Sequence, residues 1–240
     1  MQEVLTNIID SFASEGKVFT NEAQFQFDLA WALKEQGYDI RLEFQAEKGK
    51  YFDILAIKNN VGTPIELKYK TKDKEETYSF HNGNSVTTKN QGAVDNGSYD
   101  FIKDIHRLEE VLQKSVIYDK GRELDVKEGF AIIITNEKKY YTAFENKDDQ
   151  NGLFYHMHNG KSYYYWQQFS LAQGTVGGKL LQWIDPETGK TEEKGNHTTR
   201  DRKKGIQLSG KYTFEWKPYD LQGVFRPETS DFKYLIVKVK

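Results

Sequence analysis

The 240-residue chain is 37% hydrophobic and 29% charged, with a net charge of −2, so it can bury a sizeable core beneath a polar surface. It has no cysteine, which excludes disulfides, thiolate metal sites and cysteine nucleophiles. No apolar run reaches the roughly 20 residues of a membrane-spanning helix, and Met1-Gln2-Glu3-Val4-Leu5 lacks the basic start and apolar stretch of a signal peptide. The expectation is a cytoplasmic protein. Near-neutral charge supplies no global basic field, so any contact with nucleic acid must rest on a local groove.

A first helix is predicted from near Gln2, with Val4, Leu5, Ile8, Ile9 and Phe12 at helical spacing and Gly16 at its end. A second starts at a Thr20 or Asn21 cap and stops before Gly37. Its core stripe is Phe25, Leu29, Ala32 and Leu33, and Glu22 sits in its first turn. Three strands follow: Ile40 to Phe44, Tyr51 to Lys58 and Pro64 to Lys70. Residues 71–98 are Lys-, Asn-, Gly- and Thr-rich and read as a long linker. A helix from Tyr99 to Lys114 presents Phe101, Ile102, Ile105, Leu108 and Leu112 on one face, with Lys103, Asp104 and Arg107 on its polar side. The run Phe130 to Ile134 reads as a central strand buried on both faces. Beyond it come short strands at Tyr163 to Gln167, Lys179 to Ile184, Ile206 to Trp216 and Phe232 to Val239. The fold class expected is α/β: a mixed central sheet flanked by helices over residues 1–145. A β-rich extension over 146–240 either packs on the same sheet or forms a small recognition subdomain.

Tyr51 to Lys70 carries the chemistry. With a two-residue turn at Asn59-Asn60, positions summing to 119 face each other and Asp53 lies opposite Glu66. With a four-residue loop, Asn59 to Gly62, the sum is 121 and Asp53 lies opposite Lys68. Pro64 cannot donate to a ladder and leaves the choice open. Either register puts Asp53 beside Glu66 and Lys68, which share a strand face with Lys70. An aspartate inside the apolar run Phe52-Asp53-Ile54-Leu55 needs a partner or a cation, because a lone buried carboxylate is costly. Two carboxylates this close suit Mg²⁺ or Mn²⁺, and the neighbouring Lys68 suits both activation of a metal-bound water and the charge that builds on a reacting phosphate.

Asp53, twelve residues, then Glu66-Leu67-Lys68 resembles the PD-(D/E)XK nuclease superfamily, which includes many restriction and repair endonucleases. The helix-strand-strand-strand-helix-strand order over residues 1–145 is similar to that superfamily's core. The resemblance implies a restriction-endonuclease-like core that hydrolyses phosphodiester bonds in nucleic acid, DNA foremost. It implies Asp53, Glu66 and Lys68 as catalytic residues, with Asp53 and Glu66 on the metal. In many members an acid on the helix before the first strand is a further ligand, and Glu22 is the matching residue here. Phe52 stands where many members carry proline. The helix dipole alone also favours an acid at Glu22, and a lone Glu-x-Lys on a strand is commonly incidental.

Lys70, Lys89, Gln91, Lys103 and Arg107 are the candidates to track phosphates beside such a site, and Arg200, Arg202 and Lys203 form the densest basic patch. A solvated loop or helix face is the better account of any one of Lys70, Lys89, Gln91, Lys103 and Arg107, and an exposed loop accounts equally for the basic patch. Tyr163 to Trp166 offers stacking surfaces, although aromatic residues also favour strands. His156 and His158 have no third ligand nearby in sequence. Gly177-Gly178-Lys179 is no P-loop, since Leu180 replaces the required Ser/Thr. A homodimer would suit cleavage of both strands of a duplex. Two competing readings remain: a non-catalytic nucleic-acid-binding module on the same fold, and a structural ion-pair network of Asp53, Glu66 and Lys68.

Overall fold

The computed structural model describes residues 1–142, 153–158, 161–166, 169–182, 202, 204–225 and 231–240, except positions 73, 90, 92 and 173; of 153–166 it describes the strand backbones alone. Helix α1 (Gln2–Ser14) buries Leu5, Ile8, Ile9 and Phe12, the residues its spacing selects. Helix α2 (Glu22–Glu35) is capped by the Asn21 side chain, which accepts from the Gln24 N–H at 2.9 Å. Strands β1 (Asp39–Glu47), β2 (Lys50–Lys58) and β3 (Val61–Lys70) form a meander.

Strands β4 (Glu76–Phe80) and β5 (Ser85–Thr88) come next, then α3 (Val94–Leu112). The stretch 71–98 is therefore not the structureless linker expected: it holds a hairpin and the first turn of α3. Strands β6 (Val116–Asp119) and β7 (Arg122–Asp125) form a second hairpin before β8 (Gly129–Thr135). The C-terminal part contributes β9 (Leu153–His158), β10 (Lys161–Trp166), β11 (Gly174–Gly177), β12 (Leu180–Leu181), β13 (Ile206–Gln207), β14 (Lys211–Phe214), β15 (Lys217–Pro218), β16 (Val224–Phe225) and β17 (Lys233–Val239).

The protein is α/β, with a mixed central sheet in the order β1-β2-β3-β8-β17-β15. Strands β3 and β8 run parallel, with Glu66 beside Ala131 and Lys68 beside Ile133. Strand β17 returns antiparallel to β8, so the central sheet draws on both halves of the chain. Helices α1 and α2 cover one face over Ile54, Ala56, Ile65, Leu67, Tyr69, Phe130 and Ile132. Helix α3 covers the other over Leu55, Ile57, Ala131, Ile133, Leu235 and Val237. The start of α3 sits tight against Tyr140, and a Cβ on Gly97 would meet the Tyr140 hydroxyl at 2.0 Å, so only glycine fits there. No described helix is long and apolar enough to cross a membrane.

Candidate functional site

The β2–β3 hairpin turns on two residues. Asn59 and Asn60 both hold positive φ, 53° and 64°, the backbone of a tight hairpin turn that asparagine tolerates better than most residues. Pairing runs from Lys58 with Val61 to Ile54 with Ile65, and Pro64 takes its place opposite Leu55. Every pair sums to 119, which settles the register in favour of Asp53 lying toward Glu66. Regular pairing then ends and the two strands part. On the other side of β2, Glu43 holds φ 47° between the pairs Leu42–Ile54 and Phe44–Phe52, and the register shifts only farther on, between Gln45 and Glu47.

Acidic side chains satisfy the backbone where the strands part. The Leu67 N–H donates to Asp53 Oδ2 at 2.6 Å, and the Tyr69 N–H donates to Glu22 Oε2 at 2.9 Å. One turn beyond Glu22, Gln26 donates to the Asp53 carbonyl and to Glu43 Oε1, both at 2.7 Å. Glu22 and Gln26 lie four residues apart on one face of α2, so the helix grips the opened hairpin twice.

From the opposite side α3 adds two residues. Lys68 Nζ stands 2.7 Å from Asp104 Oδ2 and donates to the Leu67 carbonyl at 2.9 Å. Arg107 Nη2 lies 2.7 Å from Asp104 Oδ1 and 2.6 Å from Glu66 Oε1. The cluster thus holds four acids, Glu22, Asp53, Glu66 and Asp104, against two cations, Lys68 and Arg107. Asp104 was placed by sequence on the polar side of its helix, yet it is buried. Its signal was there: positions 101, 104, 105 and 108 share one helical stripe, so Asp104 occupies a core position among Phe101, Ile105 and Leu108. The sequence reading also passed over Gln26.

Burial dominates the electrostatics. It pushes the Asp53 carboxyl up to about 6 against the opposing pull of Lys68 and the Leu67 amide, with Asp104 and Glu22 adding to the rise. Glu66 is held well above the usual carboxylate range, first by burial and then by Asp104. Burial opposes the charge on Lys68, but Asp104, Glu22 and Asp53 outweigh it and hold the ammonium above its ordinary range. In the metal-free protein Lys68 is thus a hydrogen-bond donor held between Asp104 and the Leu67 carbonyl. Among the described residues, buried Glu66 Oε1, Asp104 Oδ2 and Arg107 Nε make no aligned hydrogen bond. No group of three or more described His, Asp or Glu side chains is placed to hold a metal ion. The donor chemistry nevertheless fits a hard divalent cation: Asp53 and Glu66 are carboxylates in surplus over their counter-charges, and Glu22 flanks them.

The residues expected to follow phosphates divide. Lys70, Lys89 and Gln91 line a cleft of about 440 Å³ together with Glu22 and Ala93, so they lie beside Glu22, while Asp53, Glu66 and Asp104 do not line that cleft. Lys103 is exposed on α3. Arg107 instead turns inward onto Glu66 and Asp104. The Arg202 guanidinium forks onto Asp100 of α3 at 2.8 and 2.6 Å. Arg200 and Lys203 lie outside the described residues, as do the side chains of His156, His158 and Tyr163 to Trp166. No protein-family model, curated protein or solved structure matches the chain.

Proposed function

We propose that the chain is a metal-dependent phosphodiesterase with a restriction-endonuclease-like core, acting on nucleic acid, with DNA as the first substrate to test. The observation that carries this reading is the meeting of Asp53, Glu66 and Lys68 where β2 and β3 part, with Glu22 on the adjoining helix. Asp53 and Glu66 would hold Mg²⁺ or Mn²⁺, with Glu22 as a further ligand. Such an ion, when bound, polarises a phosphate oxygen and lowers the pKa of a bound water. Lys68, kept as an ammonium by Asp104, donates toward the charge that develops on the phosphate. Lys70, Lys89 and Gln91 line the cleft along which the neighbouring backbone would run. A homodimer would place two such sites on a duplex.

The test is incubation of plasmid and single-stranded DNA with the protein in Mg²⁺ and in Mn²⁺. Cleavage by the wild type should fall at least about a hundredfold in Asp53→Asn and Lys68→Ala, with circular dichroism showing both variants folded. Cleavage that persists in the folded variants would remove these residues from the chemistry.

The pairs Lys68–Asp104 and Arg107–Glu66 also support a second reading, a non-catalytic ion-pair network. It predicts no metal-dependent product and no metal-induced rise in melting temperature.

A further inference from the structure

Arg107 stands out because its two contacts are unlike each other. Its Nη2 donates an aligned hydrogen bond to Asp104 Oδ1 at 2.7 Å. The same atom lies 2.6 Å from Glu66 Oε1, yet that oxygen accepts no aligned hydrogen bond and Arg107 Nε is buried without a partner. Glu66 is therefore held by charge, without the fork geometry that makes an arginine–carboxylate pair strong. The guanidinium side chain is 28% exposed while those of Glu66 and Asp104 are 2% and 6% exposed, so it forms the outer wall of the cluster. Asp104 divides its two oxygens between Lys68 and Arg107 and ties both cations to α3.

We infer that Arg107 is the phosphate-gripping group of this site, held on Glu66 until a divalent cation takes that carboxylate. The inference rests on the proposed metal-dependent reading. Cation and guanidinium compete for Glu66, so a cation that claims it releases the side of Nη2 turned to that carboxylate, next to an Nε that already lacks a partner. Asp104 keeps the freed guanidinium at the wall, aimed at the place a phosphodiester would occupy beside Lys68. Metal and phosphodiester then bind co-operatively because each removes the other's competitor, and the coupling is reciprocal. A purely structural Arg107 predicts the opposite for metal: losing it would disorder Glu66 and weaken cation binding.

Calorimetry with Mn²⁺ alone, and fluorescence titration of a short duplex oligonucleotide in Ca²⁺, separate these cases on wild type, Arg107→Met and Arg107→Lys. Arg107→Met should bind Mn²⁺ several-fold more tightly and the oligonucleotide about tenfold or more weakly, the size of a lost charged hydrogen bond. Arg107→Lys should recover part of the oligonucleotide affinity. If wild type binds Mn²⁺ and Arg107→Met binds it equally or more weakly, the inference fails and the metal-site reading stands. If wild type binds no Mn²⁺, both fail. Should Arg107→Met not fold, ¹⁵N-arginine spectra of the wild type decide. The Arg107 Nε–H signal should move on adding Mg²⁺ and move again on adding the oligonucleotide, and a signal indifferent to both overturns the inference.

Discussion

Two buried glutamates flank α3 and are held in opposite ways. Glu109, on the helix itself and 5% exposed, accepts from the Ser209 N–H at 2.9 Å, the Gly210 N–H at 2.6 Å and the Tyr212 hydroxyl at 2.7 Å. Three neutral donors surround one carboxylate and pin the 209–212 segment to the helix. Glu66, across the sheet interface and 1% exposed, has the single charged contact with Arg107 and faces Asp104 and Asp53. A carboxylate meant for scaffolding is saturated with hydrogen bonds. One left underbonded among other acids costs stability, and that pattern suits a site where a ligand completes the set.

The sharpest way to break this comparison is to remove each charge. Glu109→Ala should cost about 3 kcal/mol or more, because it strands three donors and opens a cavity, and it should leave metal binding unchanged. Glu66→Gln should change the metal-free stability little at neutral pH, where burial already disfavours the carboxylate form, and raise it at higher pH, where the wild-type group is forced to ionise in a buried acidic cluster. It should also end metal binding. Urea unfolding of both variants checks the signs, and destabilisation by Glu66→Gln would place Glu66 with the scaffolding acids.

A smaller effect sharpens the same contrast through pH. Asp53 titrates near 6 in the folded protein against about 3.9 when unfolded. An acid with a raised folded pKa contributes its stability in full below the unfolded value and loses it as pH rises through the folded one. Between about pH 4 and pH 6 the metal-free protein should therefore lose up to about 3 kcal/mol from this group, with Glu66 extending the decline to higher pH. Stability curves of wild type and Asp53→Asn check this: the variant should be flatter across the window, and parallel curves would contradict the assigned burial of Asp53.

The elements legible in the sequence are those whose apolar spacing matches one geometry. Helix α1, the β2–β3 hairpin and the run Phe130 to Ile134 declare themselves because one periodicity serves both local shape and burial. Strands β4 and β5 do not, because Glu76-Thr77-Tyr78 and Ser85-Val86-Thr87 are largely polar. Glu76 is buried among Lys72, the Tyr78 hydroxyl and a partner distant in sequence, Asn136, whose Nδ2 donates to its Oε2 at 2.9 Å. The opening of α3, Val94-Asp95-Asn96-Gly97-Ser98, is poor in helix formers and is set against Tyr140 by packing. At the site, Asp53, Glu66 and Lys68 were readable because one turn joins them. Asp104 and Arg107 reach the cluster from α3, which packs on the face of the sheet that carries Glu66 and Lys68, a contact between elements that local pattern does not encode.

The most direct test of the central claim is the melting temperature with and without Mn²⁺ for wild type and Asp53→Asn. The surplus of buried acid predicts a rise of several degrees in wild type, since a ligand bound at about a hundred times its Kd adds about 2.7 kcal/mol, and little or no rise in the variant. No shift in wild type at millimolar Mn²⁺, or an equal shift in both proteins, would contradict the account and leave Asp53, Glu66 and Lys68 as members of an ion-pair network.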